Sequence, residues 1–384
     1  MRIAKLNDIA ELKTGPFGTQ FSASEYVSEG IPVINVKNIG YGSIIEKGLD
    51  HVSKNTLERL SEHKLKEGDI VFGRKGSVDR HCLIRREQNG WMQGSDCIRV
   101  RFTDASVYSE FVSYYLLTDA VKMKINNSAV GSTMASLNTD ILGDIDIILP
   151  DYAEQKSIAL TLGIIDKKIK NNNRINDYLC SQIQFLFSYL FNLSNAPKSW
   201  DKGVLSDIAN ITMGQSPSGD SYNIIGKGCP FYQGSTDFGA IFPTMRMYTD
   251  KPSRYAKVLD TLLSVRAPVG SLNIAYENCC IGRGLASIHG KYDNNTFVRY
   301  LLKNNRWYFD NINNSGTTFG SITKNYLFEM PITIPDGKLV SMFEQKSSLI
   351  EQQIYKNEQQ IRELSNLRDW LLPMLMNGQA TIED

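Results

Sequence analysis

After Pro150-Asp151 the chain carries a spaced series: Ile158, Leu162, Ile165, Ile169, Asn172, Asn176, Leu179, Ile183, Leu186 and Leu190. The steps alternate between four and three residues. A heptad seam held this long predicts a long helix packed lengthwise on another. A second seam follows Pro335-Asp336 in the same register: Phe343, Ser347, Ile350, Ile354, Asn357, Ile361, Leu364, Arg368, Leu371 and Leu375. At about 1.5 Å per residue, about 39 residues make a rod of about 60 Å. Pro197 ends the first rod, and Pro373, which lacks an N–H, predicts a kink near the end of the second. Lys, Asn and Arg flank both seams, so neither belongs in a bilayer.

Elsewhere the apolar runs are short and bounded by turn residues. GIPVINVKNIGYG at 30–42, DIVFGRKGS at 69–77 and DIDIILPD at 144–151 predict strands. Residues 106–124 predict one short helix with Val107, Phe111, Tyr114, Tyr115, Leu116 and Ala120 inward.

The seam is part of a larger repeat. Residues 131–192 align without a gap on 316–377. Gly131, Thr133, Ser136, Leu142, Ile147, Pro150 and Asp151 recur as Gly316, Thr318, Ser321, Leu327, Ile332, Pro335 and Asp336. Ile165, Ile169, Asn172, Leu179, Leu186, Leu190 and Asn192 recur as Ile350, Ile354, Asn357, Leu364, Leu371, Leu375 and Asn377. These are 14 identities in 62 positions, where composition predicts roughly four. Upstream the offset drifts. It is 199 where Leu205, Asp207 and Ile208 echo Leu6, Asp8 and Ile9, and 198 at Gly228 and Pro230. Pairing Arg266 with Arg74 gives 192. The expected organisation is a module at 1–150, a spacer helix at 151–196, a second module at 197–335, and a second helix with its tail at 336–384. The fold class is α/β (α+β): two similar modules with twisted β-sheets, two long helices in an antiparallel coiled coil, and internal pseudo-two-fold symmetry. That symmetry places Asn172 and Asn357 together at the crossing point, where a polar pair fixes register at some cost in stability. The competing reading leaves both asparagines in solvent. A two-fold chain suits a two-fold ligand, and duplex DNA is the commonest.

Composition narrows the function. The chain is 42% hydrophobic and 22% charged, with a net charge of +1. The first residues lack a signal-peptide core, so a cytoplasmic protein is expected. Six cysteines without CxxC spacing and four scattered histidines argue against a zinc site or disulfide framework, and for buried free thiols. Near-neutrality argues against tight DNA binding unless partners add cationic surface. One basic stretch stands out, with Arg74, Lys75, Arg80, His81, Arg85 and Arg86 against Asp79.

Catalytic signatures fail on spacing or absence. Asp151, Glu154 and Lys156 resemble a PD…ExK metal nuclease, which needs its carboxylates on neighbouring strands. Here two residues separate the acids and the ExK opens a helix, so N-capping fits Asp151 better. There is no Asn/Asp-Pro-Pro-aromatic motif, no GxxxxGK[ST] and no nucleophile elbow. Gly282-Arg283-Gly284 lacks the third glycine of a dinucleotide fingerprint. What remains is a set of polar loops. The candidate DNA-binding residues are Thr19, Gln20, Lys37, Asn38, Arg74, Lys75, Ser77 and Arg80 in the first module. In the second they are Gln215, Ser216, Gln233, Ser235, Arg246 and Arg266. Arg reads guanine bidentately, Asn and Gln read adenine, and Ser or Lys can hold phosphate. Taken singly, each loop reads more readily as an ordinary solvated turn, and Arg74 and Arg266 read also as braces at strand ends; the DNA reading rests on the set.

With these residues in place, the chain resembles the specificity subunits of type I restriction–modification enzymes. LNDIAEL at 6–12, LSDIANI at 205–211, LLSVRAPVGSLNIA at 262–275, CIGRGLASI at 280–288 and RDWLLPMLMNG at 368–378 carry the resemblance, together with the order module–helix–module–helix. It covers the whole chain. It implies two target recognition domains and a coiled coil that spaces them and docks two methylation subunits. The subunit itself is implied to be non-catalytic and to bind no cofactor. S-adenosylmethionine, ATP and Mg²⁺ belong to the methylation and restriction/translocase partners. Two diverged modules imply an asymmetric bipartite site on double-stranded DNA, with half-site centres about one helical turn (~34 Å) apart. The alternatives are a stand-alone DNA-binding scaffold, a Mg²⁺-dependent nuclease, and a coiled-coil adaptor that leaves both modules unexplained.

Overall fold

The structure, a computed structural model, describes residues 2–130, 135–192, 196–313 and 320–382. The repeat identities Gly131, Thr133, Gly316 and Thr318 lie outside them. The chain divides into two compact units, 1–170 with 362–384, and 171–361. Each unit therefore holds one module and a stretch of both long helices, Tyr152–Leu190 and Gly337–Met376.

The first module closes on itself where Arg2–Lys5 pairs antiparallel with Asp146–Leu149. Its main sheet has the strand order Ala10–Thr14, Cys97–Phe102, Ile70–Gly73, His81–Leu83, Tyr41–Gly42. A second sheet runs Tyr26–Val27, Asp50–Val52, Ile31–Ile34, Met92–Gln93. The expected single helix over 106–124 is two, Ser109–Tyr115 and Asp119–Ser128. Thr118 takes an extended backbone (φ −66°, ψ 143°) and restarts the helical phase. Phe111, Tyr114, Tyr115 and Leu116 are buried, whereas Ala120 lands beyond the break and is exposed. Phe72, Ile98, Phe111 and Leu142 form the core with Ile158 and Leu162 of the first helix and Leu372 and Leu375 of the second.

The second module repeats the plan. Asp201–Val204 pairs with Pro331–Ile334. The main sheet runs Ala209–Met213, Leu285–Gly290, Thr261–Ser264, Leu272–Ile274, and the second sheet gains an edge strand, Tyr255–Ala256. Strand register sets the equivalences. Phe72 faces His81 as Leu263 faces Leu272, an offset of 191. Lys75 bridges Ser136 as Arg266 bridges Ser321, and the Arg74 and Val265 carbonyls accept from the Leu137 and Ile322 N–H groups. Arg266 is therefore the counterpart of Lys75. Its pairing with Arg74 was one residue off, because hydrogen-bond register and the buried pair Val78/Val269 fix the alignment and a shared arginine does not.

Both helices start where the sequence places a cap. The Asp151 carboxylate accepts from the Glu154 N–H at 2.9 Å and Asp336 from the Lys338 N–H at 2.7 Å, satisfying first-turn donors. Pro373 lies inside the last turn of the second helix, which continues to Met376. Among the described residues no helix is long and apolar enough to cross a membrane.

The helices run antiparallel within each unit. In the first unit Asp166 accepts from Arg368 at 3.1 Å. In the second, Phe187 meets Phe343 with ring centroids 5.6 Å apart. Of the seam positions, Ile158, Leu162, Ile165, Asn172, Ile354 and Asn357 are buried, and Ile169, Leu179, Ile350, Ile361 and Leu364 are half-buried. The asparagines are not in solvent: Asn172 is 2% and Asn357 7% exposed. Each bonds the facing helix within one turn of the expected partner. Asn172 Nδ2 donates to Gln360 Oε1 at 2.7 Å, and Asn357 Nδ2 to Asn176 Oδ1 at 2.8 Å.

Candidate nucleic-acid interface

In the first unit four loops meet at one end of the sheets. Ile31–Ile34 and Met92–Gln93 run parallel, and the Gly94 N–H donates to the Ile34 carbonyl at 2.9 Å. Gly15 packs so closely on this turn that a Cβ there would lie 1.9 Å from the Gly94 carbonyl oxygen. The Arg74 N–H donates to the Asp96 carbonyl at 2.8 Å. Loops starting at residues 15, 35, 73 and 94 thus form one rim. The second unit builds the same rim. A Cβ on Gly214 would lie 2.2 Å from the Gly282 oxygen, and the Val265 N–H donates to the Gly284 carbonyl at 2.9 Å.

The candidate residues divide on this rim. Thr19 and Gln20 are exposed on a 3₁₀ turn, with the Gln20 carbonyl held by Arg59 at 2.7 Å. Lys37 is exposed and 3.0 Å from Asp50, and that contact is the main cause holding the Asp50 carboxyl below its ordinary pKa. Asn38 is fully buried, against expectation. Its amide donates to the Ile45 carbonyl at 2.9 Å and accepts from the Asn35 N–H at 3.3 Å, so it serves its own turn. Lys75 lies 3.4 Å from Asp96, Ser77 is exposed, and Arg80 stacks 5.5 Å above the Tyr41 ring. Arg74 is half-buried with its Nε unpaired.

In the second unit Gln215 and Gln233 are exposed, Ser235 is half-buried, and the Ser216 hydroxyl accepts from the Arg283 N–H at 3.3 Å. Arg246 donates to the Thr236 carbonyl at 3.2 Å and lies 3.6 Å from Asp237. Arg266 is exposed.

The basic stretch at 74–86 is weaker than its composition. His81 is fully buried, its Nε2 3.0 Å from the Ser113 hydroxyl, and burial pushes its pKa down to about 4. It carries no charge at neutral pH. Arg85 is paired with Glu110 at 2.6 Å. Exposed pairs contribute roughly 0.2–1 kcal/mol each, so an arriving phosphate can displace such carboxylates.

Two rim arginines escaped the sequence reading. Arg254 presents its carbonyl to the Ile281 N–H at 2.9 Å, and the next residue but one is Arg283. Both side chains are exposed. The available signal was a charged residue between two glycines joining two strands, considered above as a failed dinucleotide fingerprint and as part of the segment CIGRGLASI that carries the family resemblance.

No group of three or more His, Cys, Asp or Glu side chains among the described residues could hold a metal. Asp151 is committed to its cap, away from the nuclease arrangement. The six cysteines are free thiols, four of them buried; Cys180 and Cys229 are half-buried, short of the expected full burial.

The described residues thus form a repeated module with a polar loop rim, and within each unit the module packs on paired antiparallel helices. Residues 1–179 match the family model of the type I restriction modification DNA specificity domain. A protein provisionally described as the type I restriction enzyme MjaX specificity subunit of Methanocaldococcus jannaschii is 26% identical over 382 residues, covering 92% of this chain and 88% of the relative. The HindI specificity subunit of Haemophilus influenzae is 24% identical over 435 residues, covering 90% and 94%. The fold matches the crystal structure of the type I restriction–modification S subunit from M. genitalium at a TM-score of 0.62, with 16% identity and coverage of 97% and 95%. Over most of its length the chain is thus similar to specificity subunits of type I restriction enzymes, and the family model matches its first module and most of the first long helix.

Proposed function

We propose that this chain recognises an asymmetric, bipartite site on double-stranded DNA, one half-site per module, within a type I restriction–modification complex. The observation that carries this reading is the recurrence of one rim, built from equivalent loops, on two modules whose exposed rim side chains differ. On this reading 1–150 and 197–335 are target recognition domains. The helical segments 151–196 and 336–384 space them and dock two methylation subunits. S-adenosylmethionine acts on the methylation subunits, and ATP and Mg²⁺ on restriction/translocase subunits. The complex works in the cytoplasm, where its DNA is. The rim cations supply phosphate contacts, and the amide and arginine side chains read base edges.

The test is affinity for a defined site. The chain alone is expected to bind weakly, as its near-zero net charge implies, and far more tightly with a methylation subunit. Equal affinity with and without that subunit would favour a stand-alone scaffold.

A further inference from the structure

Backbone hydrogen bonds match the two rims residue by residue. The Arg74 N–H donates to the Asp96 carbonyl as the Val265 N–H does to that of Gly284. The Gly94 and Gly282 N–H groups donate to the Ile34 and Tyr232 carbonyls. The turns that open at Asn35 and Gly234 close alike, with the Asn38 N–H on the Asn35 carbonyl and the Asp237 N–H on that of Gly234. The equivalent residues are therefore Lys37 and Thr236, Arg74 and Val265, Lys75 and Arg266, Ser95 and Arg283, and Asp96 and Gly284. Of these five pairs only Lys75 and Arg266 keep a charge in both modules.

Both side chains are exposed. Both stand on the same support. Lys75 bridges Ser136 and Arg266 bridges Ser321. Beside them the Leu137 N–H donates to the Arg74 carbonyl at 2.9 Å and the Ile322 N–H to the Val265 carbonyl at 3.0 Å. Ser136 and Ser321 are identities of the ungapped repeat. Two residues on, Asn138 and Thr323 cap short helices by accepting from the Ile141 and Tyr326 N–H groups at 2.7 and 3.3 Å. The cation of each module is thus tied to the segment that the repeat preserves.

We propose that Lys75 and Arg266 are matched phosphate anchors. Each donates to one backbone phosphate of its half-site, and neither sets the base sequence. This deepens the DNA-recognition reading above and rests on it. Modules that read different half-sites meet different base edges but the same phosphodiester, so the feature common to both modules answers the feature common to both halves. The exchange of ammonium for guanidinium points the same way. A planar fork reading a base is not replaced by lysine without loss, whereas either cation supplies a point charge to phosphate. Arg266 also lies in LLSVRAPVGSLNIA, one of the segments that carry the family resemblance, which fits a contact independent of the target. Lys75 lies 3.4 Å from Asp96, an exposed and therefore weak pair that leaves the ammonium available to phosphate.

The experiment uses the full chain in complex with its methylation subunit. The wild-type complex first selects its motif from a randomised duplex library, and affinity for a duplex carrying that motif is then measured against salt. Lys75→Ala and Arg266→Ala should each leave the selected motif unchanged and flatten the slope of log K against log salt by about 0.9, and the double variant by about twice that. Lys75→Arg and Arg266→Lys should keep the wild-type slope. Methylphosphonate scanning should locate one phosphate in each half-site whose neutralisation weakens the wild-type complex and not the matching alanine variant. An altered base preference in either alanine variant, or a slope equal to wild type, overturns the assignment. A wild-type complex that selects no bipartite motif overturns the recognition reading itself.

Discussion

Removing one carboxylate should unseat the second module from the helix it rests on. Arg299, on Asn295–Asn304, forms an ion pair with Glu351 of the second long helix, and the side chains are only 7% and 10% exposed. Arg299 also donates to the Leu259 carbonyl at 2.8 Å and to the Thr261 hydroxyl at 3.2 Å. Glu351→Ala would leave a buried guanidinium with two neutral acceptors. Breaking such a pair from one side costs about 3–5 kcal/mol, because the surviving charge stays desolvated. That is a large share of a net stability of about 5–15 kcal/mol. Replacing both, Arg299→Met with Glu351→Leu, removes the charges together and should fall within about 1 kcal/mol of wild type. Trp200 and Trp307 lie in this unit, and Trp91 and Trp370 in the other. Urea unfolding followed by fluorescence in a Trp91→Phe/Trp370→Phe background therefore reports on the second unit. A cost under about 1 kcal/mol for Glu351→Ala, or a double variant as unstable as the single one, would refute the reasoning.

Three further outcomes are expected. His81 is buried neutral, with a folded pKa depressed to about 4 from 6.5. Its contribution is complete above pH 6.5 and is lost as pH falls through that window toward 4, amounting to roughly 3 kcal/mol. Urea midpoints between pH 7.5 and 4.5 should fall less in His81→Gln, and an identical slope would contradict this. At the seam, Asn176→Leu strands the Asn357 amide and should cost about 1–3 kcal/mol, whereas Asn176→Leu with Asn357→Leu should be neutral or stabilising; thermal melts of the full chain compare them. Finally, one heptad inserted at matching points in both helices should lengthen the unspecified spacer of the methylated motif and preserve both half-sites. Sequencing that shows an unaltered spacer would count against the helices as a ruler.

The long helices were legible because a heptad seam constrains every third or fourth residue, and their caps follow from Asp151 and Asp336. Offsets of 199 and 185 survive in the strand and helix boundaries. Between them, loops of different length hide the register, and strand pairing, the bridges to Ser136 and Ser321 and the backbone bonds of Arg74 and Val265 show that Lys75 and Arg266 correspond. Asn38 was misjudged because a polar residue in a loop looks solvated, yet a tight turn needs an internal amide to satisfy its own carbonyls. Arg283 was missed for the converse reason. Its place on the rim is set by what its glycine neighbours press against, and that is a property of loops distant in sequence. The seam asparagines were placed on the right face but one partner away, since an antiparallel pair can exchange bonds between neighbouring layers.

The contact that seats each module on its helix bears on how such chains diversify. Tyr114 bonds Asp166 at 2.7 Å, and 185 residues later Arg299 meets Glu351. One frame position therefore holds two different chemistries, and in each case the acid lies downstream of the module it serves. A genetic exchange with junctions at Pro150 and Pro335 would strand Arg299 opposite a shorter aspartate and give Tyr114 a longer glutamate. An exchange that carries the first turns of the following helix keeps both matches. The inheritable cassette is thus a module with its trailing helix start, and shuffled chains cut shorter than that should bear a fitness defect in the graft that receives Arg299.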